Sequence, residues 1–364
     1  INTCTVTNMA DKKSRQMLRR VKEINPNSIL VAVGCYAQVA KEKLEQIPEI
    51  DLILGINEKN DIVTYIQTIL RDKEQNNCIL QVSDVSNQKE FLDFGNVTYT
   101  EKTRAVIKVQ DGCNQFCSYC IIPYARGRIR SRKPENVIEE ITAISQNGVK
   151  EVVITGIHIA SYGKDFDQNS NDIIEETKNI QSESATSKTS NQISQNKIED
   201  KINYRLIDLL EEIQKIDGIE RIRLGSLEPT LITEEFVQRL SKLSKICDQF
   251  HLSLQSGCDE TLKRMNRKYT TKEFENGVEL LRRAFPQVHL TTDVIVGFPG
   301  ETEEEFRQTY EFLKKIKFYK MHIFKYSPRT GTVAANMKNQ LDGDIKEKRS
   351  HALLELSDCF EKEY

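Results

Sequence analysis

From Ala105 to Lys325 the chain repeats one unit, a short apolar run rich in β-branched residues followed by a longer stretch of helical periodicity. The strand candidates are Ala105–Val109, Glu151–Thr155, Arg221–Gly225, His251–Leu254, Thr291–Val296 and Met321–Lys325. Helical segments separate them at Pro134–Gln146, Leu206–Ile216, Thr233–Leu243, Thr271–Ala284 and Thr302–Lys315. Thr270-x-x-Glu273 and Thr302-x-x-Glu305 are capping boxes for the last two, each side chain satisfying an N–H that the first turn leaves free. Strand–helix alternation demands a parallel sheet covered by helices, and six units in succession favour a partial (β/α)6 barrel over an open sheet. The unusual motifs fall where strands end: Cys113–Cys120, Thr155-Gly-Ile-His158, Ser226-Leu-Glu-Pro229, Gln255-Ser-Gly257 and Gly297-Phe-Pro-Gly300. That rim carries the chemistry in barrels of this kind, so the clustering predicts an enzyme.

A smaller alternation comes first. Strand patterns at Ile1, Ser28–Val33 and Asp51–Gly55 alternate with helical ones at Asp11–Glu23, Ala37–Gln46 and Asp61–Leu70. This is the pattern of a Rossmann-like parallel α/β domain. Cys4 and Cys35 each follow a strand and precede a helix, so a parallel sheet would bring them to one edge. Two ordinary half-buried thiols are the plainer reading. We expect a first domain over residues 1–90, the barrel over 100–340 and a C-terminal helix over 341–364. Ile1 already stands in a strand pattern, so the first domain is expected to begin upstream. Residues 165–203 carry eight acids, four lysines, no glycine or proline, and Phe166 as the sole aromatic. Such a composition predicts a disordered insertion.

Cys113-Asn-Gln-Phe-Cys117-Ser-Tyr-Cys120 puts three thiols into eight residues. Three thiolates can hold three irons of a 4Fe–4S cube and leave the fourth open to a ligand. A structural zinc loop is the alternative, since its cysteines are also closely spaced. Zinc wants a fourth ligand, however, and neither His nor Cys occurs between Cys120 and His158. Nine cysteines, an odd number in a long chain, fit metal ligation in a reducing cytoplasm better than a disulfide framework. Cys78, Cys247, Cys258 and Cys359 lack ligand spacing and are read as bystanders. No apolar run reaches membrane-spanning length, so no membrane partner is expected.

The formal charge of −2 conceals two basic runs, six cations without an acid in residues 12–22 and five in residues 126–133. The first has an apolar stripe (Met17, Leu18, Val21, Ile24) and reads as a solvated helix face. The second follows the cysteine loop directly. There Arg126 and Arg128 are candidates for a carboxylate or for nucleic-acid phosphates.

With these motifs in hand, the chain resembles the methylthiotransferases of the radical S-adenosylmethionine (SAM) superfamily. The cysteine loop, with Tyr119 before its last cysteine, is similar to the superfamily signature. Ile1-Asn-Thr-Cys4-Thr-Val-Thr7 and Gly34-Cys35-Tyr-Ala-Gln38 resemble two of the family's three N-terminal cysteine motifs. Thr155–Gly163, Leu252–Gly257 and Thr292–Thr302 resemble its barrel motifs. The run Cys113–Arg132, and His158 where the isopentenyladenosine branch has Asn, most resemble the branch acting on tRNA that bears N6-threonylcarbamoyladenosine.

The resemblance implies that Cys113, Cys117 and Cys120 ligate a 4Fe–4S cluster whose open iron chelates SAM. An electron from it would release a 5′-deoxyadenosyl radical, which removes hydrogen from C2 of the adenine. Cys4, Cys35 and a third cysteine expected upstream would hold a second 4Fe–4S cluster that donates sulfur, incompletely ligated in this chain. A further SAM would supply the methyl group. Tyr119, Gly156, Ser226, Glu228, Gln255 and Gly297 are the implied SAM-pocket residues, with Arg126 and Arg128 beside them. Each glycine serves equally well as a turn. Also implied are tRNA as partner, a reductant such as flavodoxin or ferredoxin, a cytoplasmic setting, and a tRNA-gripping TRAM domain expected to be missing after Tyr364. Two alternatives stay open. One is a methylthiotransferase for isopentenyladenosine tRNA or a ribosomal protein; the other is an RNA-binding protein with a structural zinc loop.

Overall fold

The computed structural model describes residues 1–71, 78–95, 103–166 and 204–363. Its first sheet is wholly parallel: β1 (Asn2–Thr3), β2 (Val31–Gly34), β3 (Leu52–Leu54) and β4 (Ile79–Gln81), in that order. Helices α1 (Asn8–Ile24), α2 (Cys35–Val39), α3 (Lys41–Glu45) and α4 (Ile62–Arg71) accompany it. Every β3 residue is buried, as a parallel strand covered on both faces must be. Ile53 joins Leu18, Tyr36 and Leu44, while Leu52 and Leu54 meet Ile62, Ile66 and Ile69 of α4. The helix expected over Ala37–Gln46 is instead two short ones, broken at Ala40 and starting at Cys35. Gly34, at φ +105°, makes the turn into Cys35, and a Cβ there would collide with the Thr3 carbonyl. Only glycine allows the chain to bend that tightly against β1.

The larger body holds six parallel strands in sequence order: β5 (Arg104–Asp111), β7 (Glu151–Gly156), β8 (Arg221–Leu224), β9 (Gln249–Gln255), β10 (His289–Val296) and β11 (Lys320–Lys325). The short β6 (Arg130–Ser131) pairs antiparallel with the end of β5. Parallel bridges Ile222↔Ile246 and Leu227↔Leu252 join the β5–β8 wall to the β9–β11 wall. No pairing joins β11 back to β5 among the described residues, so the structure is an open (β/α)6 barrel. The helices are α5 (Ile122–Arg126), α6 (Pro134–Gln146), α7 (Leu206–Ile213), α8 (Glu234–Leu240), α9 (Asp259–Arg264), α10 (Thr271–Ala284), α11 (Glu303–Ile316) and α12 (Gly343–Glu363). Both expected capping boxes form, at Thr270 with Glu273 and at Thr302 with Glu305.

The barrel core runs through Ile107, Val109, Ile154, Ile222, Phe250, Leu252, Leu290 and Val294. Each such side chain contributes roughly 1.5–3 kcal/mol on burial. Leu353, Leu356 and Phe360 belong to the same core, so α12 is packed onto the barrel. Arg349 fastens it further, donating to Glu301 just beyond β10. The first two residues assigned to the insertion, Asp165 and Phe166, are instead packed against the barrel. Asp165 accepts from the N–H and hydroxyl of Ser131 at 2.8 and 2.5 Å, and Phe166 stacks edge-on with Tyr162 against the core. Residues 167–203, the rest of that expectation, lie outside the described residues. Among the described residues no helix is long and apolar enough to cross a membrane.

Candidate functional site

β5 delivers the chain to the barrel rim at Asp111, and Gly112, at φ +70°, turns it into the cysteine loop. A Cβ on Gly112 would fall on the Arg128 carbonyl. The loop is held from several sides. Cys113 N–H donates to the Gly127 carbonyl at 3.0 Å and Cys120 N–H to the Cys117 carbonyl at 2.9 Å. Ser118 donates from its N–H to the Met265 carbonyl and from its hydroxyl to the Arg264 carbonyl. The Asn266 amide donates to the Phe116 carbonyl at 2.9 Å, and Ala334 N–H donates to the Ser118 carbonyl at 2.8 Å. Three thiols are thereby held, half-buried, in one short loop.

Burial pushes the Cys113 thiol up to about 11 and the Cys120 thiol up to about 12. A metal bound there must displace those protons. Among the described residues no three of His, Cys, Asp and Glu converge as a single ion requires. A cube places each thiolate on a different iron, so its ligands need not converge on one point. The donor set therefore fits an iron–sulfur cluster better than a lone zinc.

Behind the loop lies a polar group that the sequence revealed only in part. Arg267 is almost fully buried and sends Nη1 to Cys117 Sγ at 3.3 Å and Nη2 to Glu228 Oε2 at 2.7 Å. Its Nε donates to the Tyr269 hydroxyl, which itself donates to the Leu254 carbonyl. Burial drives the Glu228 carboxyl up, yet His158 and Arg267 outweigh that and hold it below the ordinary range. His158 is oriented by Ser161 Oγ at Nδ1 and, through its backbone N–H, by Gln110 Oε1. Its buried Nε2 stands 3.6 Å from Glu228 and has no hydrogen-bond partner among the described residues. That orphaned nitrogen, beside a carboxylate and a guanidinium that touches the Cys117 thiol, fits a polar ligand.

The other sequence candidates separate. Gly156 is pressed against Gln110. Ser226 is exposed, and Gln255 ends β9 buried at φ +69°. Gly297 donates its N–H to Glu301 at 2.5 Å. Tyr119 packs edge-on against Phe298, within a cluster containing Met265 and Tyr326. Arg128 is exposed with its guanidinium 4.6 Å from the Phe116 ring. Arg126 points elsewhere, its Nε 3.0 Å from Cys35 Sγ and its Nη1 3.5 Å from Asp111. The basic run 126–133 is therefore largely inward-facing, with Arg130 fully buried and Arg132 paired to Asp93 and Glu140.

In the first sheet, Thr3 is in register with Gly34, so Cys4 and Cys35 are each the next residue along two adjacent strands. Cys4 is exposed and Cys35 half-buried. The Cys4 loop is tied to the barrel by Arg329, whose guanidinium donates to Thr5, to Asn8 at 2.9 Å and to Asp11 at 2.9 Å. Residues 327–334 thus bind the Cys4 loop on one side and Ser118 on the other.

Residues 107–313, more than half of the chain, match the Radical SAM superfamily, and residues 1–55 match a family described as uncharacterized protein family UPF0004. The threonylcarbamoyladenosine tRNA methylthiotransferase MtaB of Bacillus subtilis is 40% identical over 365 residues, covering 100% of this chain and 72% of the relative. The MtaB of Aquifex aeolicus is 38% identical, with 100% and 79% covered. The tRNA-2-methylthio-N(6)-dimethylallyladenosine synthase of Clostridium novyi is 35% identical, with 97% and 71% covered. Among solved structures, the radical SAM methyltransferase TsrM from Kitasatospora setae superposes with a TM-score of 0.58 at 14% identity, covering 92% of this chain and 64% of that one. At that identity the likeness concerns the fold alone. An open parallel barrel with three cysteines at its mouth defines the class. The chain belongs to the radical SAM superfamily and, within it, to the methylthiotransferases.

Proposed function

We propose that the protein is a tRNA methylthiotransferase that converts N6-threonylcarbamoyladenosine, beside the anticodon, into its 2-methylthio derivative. Supporting this reading is the likeness, over the whole of this chain, to two enzymes named for that nucleoside. The observation that carries it is the pair of ties between the barrel and the domain of Cys4 and Cys35, Arg126 reaching Cys35 from just beyond the Cys113–Cys120 loop and Arg329 holding the loop after Cys4. In this reading the barrel holds one 4Fe–4S cluster and SAM, and Cys4 and Cys35 contribute to a second cluster. Residues 1–90 form the sulfur-donating domain, residues 100–340 the barrel, and 341–364 a helix docked on it. tRNA is the substrate, a flavodoxin or ferredoxin the electron source, and the cytoplasm the setting.

When bound, a three-thiolate cluster supplies an electron to SAM, which is the cofactor's own chemistry. The protein's part is placement. Arg267 donates to Cys117 and fixes Glu228, and Glu228 with His158 Nε2 offers hydrogen bonds to the polar end of SAM. Glu301 fixes the turn at Gly297 after β10 by accepting its N–H.

Nucleoside mass spectrometry of tRNA from a strain lacking the gene tests the substrate, with loss of the 2-methylthio threonylcarbamoyl nucleoside expected. Loss of the dimethylallyl counterpart, or of a modification on a ribosomal protein, overturns the substrate assignment and leaves the family standing. Cys117→Ala is expected to abolish 5′-deoxyadenosine formation with the fold intact, since the residue stands on a rim loop. Parent-rate formation by that variant, or zinc without sulfide in anaerobically purified protein, overturns the cluster assignment.

A further inference from the structure

Four cations crowd one carboxylate in the gap between the two cysteine groups. Asp111 Oδ2 lies 2.5 Å from Lys108 Nζ, 3.5 Å from Arg126 Nη1 and 3.7 Å from Arg130 Nη2. Lys59, on the one-turn helix after β3, lies within electrostatic reach of Arg126, Lys108, Asp111 and Cys35. The Asp111 side chain is 4% exposed and Arg130 is 0% exposed. Arg130 also feels Asp165, which is already engaged by Ser131. None of the three Arg130 nitrogens has a hydrogen-bond partner among the described residues, and Lys59 forms no hydrogen bond or ion pair with them. Asp111 alone cannot neutralise Lys108, Arg126 and Arg130 together, and uncompensated charge on the buried guanidiniums is costly. Such a cluster persists where an anion completes it.

The cluster has a closed side and an open side. Arg130 is sealed behind Asp111, whereas Lys108 is 40% and Arg126 19% exposed, and Lys59 is half-buried. An incoming anion therefore meets Lys59 and Lys108 first. The position is set by the chain itself, because Asp111 immediately precedes Gly112 at the head of the cysteine loop while Arg126 touches Cys35. A base that takes sulfur from one cysteine group under the action of the other must lie in this gap.

We propose that Lys59 and Lys108, backed by Arg126 and Arg130, receive the carboxylate of the threonylcarbamoyl group and thereby select this nucleoside over its dimethylallyl counterpart. The inference rests on the function proposed above and supplies its specificity determinant. A threonyl carboxylate matches the surplus charge, whereas a hydrocarbon tail would desolvate the Lys59 ammonium without supplying it a partner. A site built to bind a polar group rejects the analogue that lacks it far more strongly than an apolar pocket rejects a small change of size.

The test uses the complete gene product, loaded anaerobically, with Lys59→Met and Lys108→Met as variants and Lys59→Arg as the conservative control. Three anticodon stem-loop RNAs are compared, bearing threonylcarbamoyladenosine, the same group with its carboxylate amidated, or unmodified adenosine. Each Met variant is expected to lose about ten- to hundred-fold in kcat/KM on the acid, the scale of one hydrogen bond to a charged group. On the amide the loss should be small, with unchanged affinity for the unmodified stem-loop, and Lys59→Arg should restore most of the preference. Equal losses on acid and amide with weaker binding of the unmodified RNA would mean that the cations hold a phosphate, and would overturn the proposal. Lost iron with an unchanged acid-to-amide ratio would assign them to the second cluster and overturn it likewise. If the parent enzyme processes only dimethylallyl RNA or a protein, the functional reading fails together with this one.

Discussion

One buried ion pair reinforces the apolar attachment of α12 to the barrel rim, and Arg349→Met isolates its contribution. Arg349 donates to Glu301 Oε2 at 2.9 Å and to the Glu301 carbonyl at 3.0 Å, with the two side chains 6% and 2% exposed. Its second bridge, to Glu303, goes to a carboxylate that is 84% exposed and contributes little. Methionine keeps much of the contact with the Phe306 ring, 5.2 Å from the guanidinium, so the loss is mainly electrostatic. Removing one partner of a buried pair costs about 3–5 kcal/mol. At about 2–4 °C per kcal/mol for a body of this size, Tm should fall on the order of 10 °C. The loss must also depend on pH. Burial already raises the Glu301 carboxyl above its ordinary value, against the opposing pull of Arg349 and the Gly297 N–H. A raised carboxyl contributes its stability below the unfolded value, and that contribution disappears as pH rises through the folded one. Without Arg349 the folded value rises further, so the penalty should be full near pH 8 and smaller near pH 5. Thermal melts by circular dichroism at both pH values, with Arg349→Met/Glu301→Gln as companion, give the readout. The double variant should recover most of the loss, since a neutral pair carries no stranded charge. A penalty under about 1 kcal/mol, or one equal at both pH values, or a double variant no better than the single, refutes the reasoning.

Gly112→Ala should cost more than about 1–2 kcal/mol, the penalty of a left-handed non-glycine residue, because its Cβ also meets the Arg128 carbonyl. Iron bound on anaerobic reconstitution should fall with it, and parent-level iron would show that the loop tolerates the shift. Glu228→Gln should cost roughly 1.5–3 kcal/mol at neutral pH by weakening a charged hydrogen bond. The Glu228 carboxyl is held below its ordinary range, so its stabilisation is present above the unfolded value and is lost as pH falls through the folded one. Urea titrations should therefore show a shallower acid limb in the variant; parallel limbs would remove Glu228 from this role.

The barrel was legible because its strands are short β-branched runs and its helices carry their own caps, both local signals. Pro134–Gln146 and Thr271–Ala284 came out residue for residue. The inward turn of the basic run was not legible. Arg132 finds Asp93 and Glu140, and Arg126 finds Asp111 and Cys35, partners that only the folded chain brings near. The short helix Asp259–Arg264 follows Cys258 without a side-chain cap, and the two acids of its first turn are a weak start signal. Arg267, the cation against the cysteine loop, lies 150 residues from Cys117. A lone arginine between a short helix and a capping box looks like any surface charge, and nothing in its neighbours announces the contact. Strand order alone brought Cys4 and Cys35 to one sheet edge, and the register of β1 against β2 puts each one residue past the last paired position.

The segment 327–334 acts as a splint. Through Arg329 and Pro328 it grips the loop that carries Cys4, and through Ala334 it grips the loop that carries Cys117. Two loops braced to one strap are fixed relative to each other, across the gap between them, as well as to the barrel. A reaction that must pass an atom across that gap then proceeds between groups already in place, with the kinetics of an intramolecular step in place of a repeated search.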